Sequence, residues 1–223
     1  MLELRELSAW YSAAQALFDV SLQVGQGEWV VLNGLNGAGK STLLQSVIGV
    51  GPVVRGTVIF QCQSIGAWPP HERARLGLGY VPEDRRLFAD LTVQENLLVA
   101  AHMPAAPGGG GTPHSAAQQL EQVFALFPAL KPMCKRRALE MSGGEQQMLS
   151  MARTLMTSPS MLLLDEPCEG IAPVLVEAIV EALLRLKKQG MAMLIAEQNA
   201  LLAEHADRVI TLVAGQTGAH LTP

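Results

Sequence analysis

The chain opens with alternation. From Leu2 to Leu7, and again from Val20 to Val24, apolar and polar positions exchange almost residue by residue, the period of a strand with one buried face. Gly25-Gln26-Gly27-Glu28 reads as a turn between elements. Trp29–Leu32, Met161–Leu164 and Met191–Ala196 are apolar without interruption and read as buried strands. Thr57–Phe60 and Arg208–Val213 are further strand segments, and Gly79–Glu83 is extended because the residue before Pro82 is pushed away from helix.

Between these runs the period changes to that of a helix. Thr42–Ile48 predicts a helix closed by Gly49, and Pro69–Gly77 a short one with proline at its start and glycine past its end. Thr92 and Glu95 are spaced as a capping box for a helix running toward Ala101 and stopping before Pro104. Pro104 to Pro113, with glycine at 108–111, has the composition of a flexible surface linker. Helical spacing resumes over Ala116–Phe127, with Leu120, Val123, Phe124 and Phe127 on one side. Ser142 is a natural N-cap for a helix ending near Thr157. Over Val174–Gln189, Leu175, Ile179, Leu183 and Leu186 share a face, predicting packing against a sheet, with Glu181 and Arg185 spaced as an i,i+4 pair and Gly190 closing the helix. Strands that alternate with helices predict an α/β chain with a mainly parallel sheet. The purely helical stretch 88–157 reads as an insert within it.

Chemistry concentrates at Gly34-Leu35-Asn36-Gly37-Ala38-Gly39-Lys40-Ser41, followed by Thr42. The string fits the phosphate-binding loop, and it lies between a predicted buried strand and a predicted helix, as such a loop must. The glycines permit turns and close approach of backbone to phosphate. Successive N–H groups form an anion site at a helix N-terminus. Lys40 places a point charge on the outer phosphates, and Ser41 offers a hydroxyl to Mg2+. The apolar run from Met161 ends in Asp165 and Glu166. A strand that delivers a carboxylate at its carboxyl end suits a magnesium site, with the next carboxylate placed to orient or deprotonate a water. The paired glycines of Ser142-Gly143-Gly144 expose backbone N–H groups at the next helix start. Tyr11 either stacks on a base or fills a gap, and the residue alone favours the gap; Glu83 alone reads as a solvated charge beside Arg85 and Arg86.

Bulk properties narrow the picture. With 223 residues, 49% of them apolar, the chain suits one large domain or one domain carrying an insert. The net charge of −4 gives no pull toward nucleic acid. No apolar stretch is long enough to span a bilayer, since Val174–Leu186 is broken by Glu177, Glu181 and Arg185, and the N-terminus lacks the apolar run of a signal peptide, so a cytosolic protein is expected. Cys62, Cys134 and Cys168 are far apart and odd in number, which predicts free thiols, buried or half-buried.

Taken in order, the phosphate loop, Met141-Ser142-Gly143-Gly144-Glu145-Gln146 and the Asp165-Glu166 strand resemble the ATP-binding subunit of ABC transporters over nearly the whole chain, the second string being similar to the LSGGQ signature with Met141 for Leu. The resemblance implies a P-loop NTPase with a mainly parallel central sheet, an N-terminal antiparallel β subdomain and an inserted α-helical subdomain, all within a single cassette. It implies that ATP and Mg2+ are bound, that Tyr11 stacks on adenine, and that Asn36 through Thr42 hold the phosphates. It also implies that Ser41, Asp165 and Glu83 contact the metal, that Lys40, Glu166 and Gln198 act in hydrolysis, and that Ser142, Gly143 and Gly144 cover the γ-phosphate of a partner subunit. Glu83 stands where the family's Q-loop glutamine is usual, Gln198 where its switch histidine is usual, and Cys168 where a Ser or Thr is usual; Gly170-Ile171-Ala172-Pro173 resembles the D-loop region. Val81-Pro82-Glu83, Arg85-Arg86, Leu91–Asn96 and Glu197-Gln198-Asn199-Ala200 are similar to the branched-chain amino acid importer ATPases, and Glu169-Gly170-Ile171 to the urea importer ATPases. The expected partners are a second ATPase subunit, identical or not, two membrane permease subunits and a periplasmic or extracellular solute-binding protein, with the chain peripheral at the cytoplasmic face of the membrane. A regulatory, weakly hydrolysing subunit paired with a competent paralogue is the alternative, and a soluble ABC protein of DNA repair or translation is disfavoured by the charge.

Overall fold

The computed structural model describes residues 1–101 and 115–218. The chain begins with β1 (Leu2–Tyr11) and β2 (Ala14–Val24), then β3 (Trp29–Asn33), α1 (Lys40–Ile48), β4 (Val53–Phe60), β5 (Gln63–Ser64), α2 (Pro70–Arg75) and β6 (Leu78–Val81). It continues through α3 (Val93–Ala101), α4 (Ala116–Leu126), two 3-10 turns, α5 (Gly143–Leu155), β7 (Met161–Asp165), α6 (Pro173–Lys188), β8 (Ala192–Ala196), α7 (Ala200–Glu204), β9 (Arg208–Val213) and β10 (Gln216–Thr217). The 104–113 linker predicted from composition lies outside the described residues.

Two sheets result. One is antiparallel, in the order β2-β1-β4-β5; the other has six strands in the order β10-β9-β3-β8-β7-β6, parallel throughout except for β10. The parallel strands are covered on both faces, which is why they read as unbroken apolar runs. Alternate residues of β3 serve different cores. Val30 and Leu32 join α1 and the antiparallel sheet in one, while Trp29 and Val31 join α3, α4, α5 and α6 in the other. The face of α6 predicted to pack does so: Ile179, Leu183 and Leu186 are buried in that second core, and Glu181 pairs with Arg185 at 2.5 Å. Between β6 and β7 the described residues form helices and turns, apart from one isolated bridge between Thr92 and Arg137.

The N-terminal strands are longer than alternation suggests. β1 reaches Tyr11 and β2 starts at Ala14, so Tyr11 ends a strand at a tight hairpin. The alternation is interrupted because β1 bulges at Glu6, where φ is 49°, and pairing shifts register there. Cys168 is buried and Cys134 half-buried, but Cys62 is exposed, contrary to expectation, because it sits at the turn between β4 and β5 with φ of 62°.

One buried charge holds α1 in place. Arg73 of α2 is 5% exposed and has carbonyls, not a carboxylate, as partners. Its guanidinium donates to Ser46 O (2.9 Å) and Val47 O (2.8 Å) in the last turn of α1, and to Trp68 O and Gly66 O, both at 2.9 Å. A cation there satisfies orphan carbonyls and opposes the negative end of the helix dipole. Gly49 ends α1 in the left-handed region (φ 84°), and a Cβ on it would lie 2.7 Å from the Arg73 Cζ.

Candidate nucleotide-binding site

The site forms where β3, β8 and β7, adjacent and parallel, end on the same edge of the sheet. The chain leaves β3 at Asn33, turns through the glycine-rich loop and enters α1 at Lys40. Each loop glycine has its own reason. At Gly34 a Cβ would sit 2.4 Å from the Leu212 carbonyl oxygen of β9, so only glycine lets the loop lie against that strand. Gly37 and Gly39 have φ of 79° and 103°, a region that side chains resist. A Cβ on Gly37 would meet nothing within 4 Å, so the loop is open on that side. The turn after β9 backs the loop again through Gly215, whose N–H donates to Ala38 O at 2.9 Å.

Lys40 is 3% exposed. Its Nζ donates to Gly34 O at 2.8 Å and pairs with Glu166 Oε1 at 3.0 Å. Ser41 Oγ donates to Asp165 Oδ1 at 2.8 Å, and the Tyr80 hydroxyl donates to Asp165 Oδ2 at 3.3 Å. Burial pushes the Asp165 carboxyl up to about 6, against the pull of the Ser41 and Tyr80 hydrogen bonds; the Glu83 and Glu166 charges push it the same way as burial. Burial likewise raises the Tyr80 hydroxyl. Glu166 itself has φ of 46°, and its N–H donates to Ala196 O at 2.9 Å. From the far end of the chain, Gln198 Nε2 donates to Asn36 Oδ1 at 2.5 Å. A cleft of about 430 Å³ opens over Gly37, Gly39, Lys40, Ser41, Thr42 and Glu166, walled by Gln15, Ala16, Phe18 and Ala214.

This arrangement fits a magnesium–triphosphate group. Ser41 and Asp165 supply the hard oxygen donors Mg2+ prefers. The left-handed glycines and the N-terminus of α1 supply N–H groups for phosphate, and Lys40 is the cation beside them. Of the residues singled out in the sequence, Asn36, Gly37, Ala38, Gly39, Lys40, Ser41, Thr42, Asp165, Glu166 and Gln198 converge here.

Others stand apart. Tyr11 is not in the wall of the cleft, where the aromatic residue is Phe18. Its ring is 43% exposed and its hydroxyl donates to Gln45 Oε1 of α1 at 2.6 Å. Glu83 is exposed in the loop after β6 and reaches Asp165 through its charge. Ser142, Gly143 and Gly144 start α5, and among the described residues no hydrogen bond joins them to the phosphate loop. Ser142 accepts from Glu145 N while Glu145 accepts from Ser142 N, a capping box. The expectation that both glycines expose their backbone holds for Gly143 and not for Gly144, which is buried; a Cβ there would meet Leu175 Cδ1 at 2.3 Å and Ile171 Cγ2 at 3.0 Å. Gly144 is thus required by the packing of α5 on α6.

Two neighbours of the site have no role assigned to them by the motifs above. Tyr80 touches Asp165 across 85 residues of sequence, a pairing that only the β6–β7 register brings about. Glu197 is 4% exposed at the end of β8. Its signal was present: like Asp165, it ends a buried apolar run.

The family model described as "ABC transporter" matches residues 17–169, more than half of the chain. The chain is 42% identical to the high-affinity branched-chain amino acid transport ATP-binding protein BraG of Pseudomonas aeruginosa, covering 100% of this chain and 93% of that one. It is 36% identical to the probable branched-chain amino acid transport ATP-binding protein LivF of Archaeoglobus fulgidus, covering 97% and 89%. Among solved structures, a nucleotide-free ATP-binding cassette from an ABC transporter superposes with a TM-score of 0.84 at 27% identity, covering 98% of this chain and 90% of that one. With the phosphate loop, the Asp165–Glu166 strand and the Ser142-Gly143-Gly144 helix start all in place, the chain belongs to the ABC transporter family.

Proposed function

We propose that this chain is the ATP-hydrolysing subunit of an importer for branched-chain amino acids or related amino acids and amides such as urea. The observation that carries the reading is the division of the site. Lys40, Ser41, Asp165, Glu166 and Gln198 stand together, whereas among the described residues no hydrogen bond joins Ser142-Gly143-Gly144 to them. A second ATPase subunit, identical or paralogous, supplies the missing lid, so nucleotide closes the pair. The BraG and LivF names support the solute class.

In this reading the loop amides and Lys40 hold the phosphates, and Tyr11 offers its exposed ring to the base. Ser41 and Asp165 would hold Mg2+, with Glu83 nearby, and the ion would supply positive charge to the phosphates. Glu166 leaves its ion pair with Lys40 when phosphate arrives, and takes a proton from the attacking water. Gln198, already bonded to Asn36, stands at the γ-phosphate. Catalysis of this kind is positioning and charge stabilisation.

The partner in the membrane is a pair of permease subunits, fed by a periplasmic or extracellular solute-binding protein, with this chain at the cytoplasmic face. No helix among the described residues is long and apolar enough to cross a membrane. A groove of about 520 Å³ between α2, β6, α3 and α5, lined by Pro70, His71, Tyr80, Arg86, Phe88 and Val99, offers the permease a seat. It shares Tyr80 with the metal site, which joins the seat to the chemistry.

The test is Glu166→Gln in the assembled transporter. MgATP binding is retained and turnover falls by roughly 10² to 10⁴, the usual contribution of a general base. Turnover near the parent's removes Glu166 from that role.

A further inference from the structure

Glu197 is a buried carboxylate that the mechanism above leaves idle. Its two oxygens accept three backbone N–H groups from two separate segments. Oε1 takes Gln198 N at 2.9 Å and Asn199 N at 3.1 Å; Oε2 takes Cys168 N at 3.1 Å, 29 residues away in sequence. Helix capping does not explain this, because α7 has its own cap in Asn199, whose Oδ1 accepts from Leu201 N at 2.9 Å.

The geometry has a direct effect on the catalytic turn. Glu166-Pro167-Cys168 leaves β7 and is suspended at both ends from the end of β8. Glu166 N donates to Ala196 O at 2.9 Å, and Cys168 N donates to the neighbouring Glu197. The Glu197 backbone is itself anchored, its N–H donating to Leu32 O at 3.1 Å at the exit of β3. The next residue, Gln198, reaches Asn36 of the phosphate loop. One side chain therefore links the turn that follows Glu166 to the segment that carries Gln198.

We infer that Glu197 is a positioning residue, whose carboxylate ties the turn after Glu166 to the segment carrying Gln198 so that the two move as one body. Contact made or lost at Gln198 is then felt at Cys168 and in the chain that follows it toward Gly170. The kinetic part of this rests on the proposed ATPase function; the mechanical part does not.

The experiment is amide hydrogen exchange on the whole chain, with residue resolution, alongside kinetics. In the unaltered chain, the amides of Cys168, Gln198 and Asn199 are expected to share one protection factor once each rate is divided by its intrinsic rate, because one carboxylate releases all three. In Glu197→Gln, one carboxylate oxygen becomes an NH2 that cannot accept. Exchange at Cys168 or at the Gln198–Asn199 pair should rise at least tenfold while β7 and β8 keep their protection. Turnover should fall roughly ten- to hundredfold, as a misplaced catalytic group does, with the MgATP dissociation constant within twofold of the parent's. Glu197→Asp, which keeps the charge and withdraws it by one methylene, should fall between the two. Independent exchange of the three amides in the unaltered chain overturns the tie, and does so even if Glu197→Gln fails to fold. Parental turnover in Glu197→Asp, or a rise in exchange that spreads into β7 and β8, overturns the positioning role. Absence of ATP hydrolysis in the assembled transporter, with common exchange intact, counts against the proposed function and leaves the tie standing.

Discussion

Replacing Arg73 by Met tests how much a carbonyl-satisfied buried cation contributes. The change removes four hydrogen bonds, from Nε to Trp68 O, from Nη1 to Ser46 O and Val47 O, and from Nη2 to Gly66 O. Methionine fills much of the volume but leaves those acceptors without a donor, two of them at the C-terminus of α1. Bonds to a charged donor contribute about 1.5–3 kcal/mol each. Against their loss stands the desolvation of the guanidinium, several kcal/mol in its own right. The balance expected is a destabilisation of about 2–4 kcal/mol. Arg73→Lys keeps the charge but cannot fan out to four carbonyls, so about half of that loss is expected. The assay is urea unfolding of the nucleotide-free chain. At a slope of about 2 kcal/mol/M the Met variant's midpoint falls by roughly 1–2 M. A Met variant within about 0.5 kcal/mol of the parent, or a Lys variant as stable as Arg, would refute the reasoning.

Other expectations concern the site itself. Asp165 titrates near 6 when folded, above its unfolded value of about 3.9, so the folded chain holds the proton more tightly and loses stability as pH rises from about 4 to 6. Asp165→Asn should therefore stabilise the nucleotide-free chain by about 1–3 kcal/mol at pH 7–8, an advantage that disappears near pH 4 in denaturant titrations while activity is abolished. Gly34→Ala drives a Cβ onto the Leu212 carbonyl and should cost about 2–3 kcal/mol, more than Gly37→Ala, which meets open space and carries only the backbone cost of about 1–2 kcal/mol. Thermal unfolding ranks the two, and the reverse order contradicts the packing described. Maleimide at pH 8 should label exposed Cys62 first and spare Cys168, whose thiol is buried and pushed up to about 12 by that burial and by the Glu197 charge; peptide mapping reads the order.

The parts of the fold that local chemistry determines were legible in the sequence. Buried parallel strands show as continuous apolar runs, the helix limits at Gly49, Pro70 and Ser142 follow from backbone geometry and caps, and the phosphate loop is contiguous. What was not legible depends on pairing at a distance. The true ends of β1 and β2 are hidden because bulges at positions such as Glu6 break the alternation. The anchoring role of Arg73 has no local signal, since its partners are carbonyls and leave no trace in composition. Tyr80 and Glu197 join the site only through strand register and a contact spanning 29 residues. The burial of Gly144 was hidden for the same reason: its neighbour is Leu175, on a different helix.

The support that β9 lends the phosphate loop has a consequence for synthesis. The loop is finished by residue 41, yet the Leu212 carbonyl of β9 against Gly34 and the amide of Gly215, in the turn after β9, on Ala38 come from far downstream in the chain. A ribosome must therefore translate through Gly215 before the loop has its backing. A nascent chain halted before β9 carries every residue of the loop but lacks this backing, so firm nucleotide capture is expected to wait until β9 has been made.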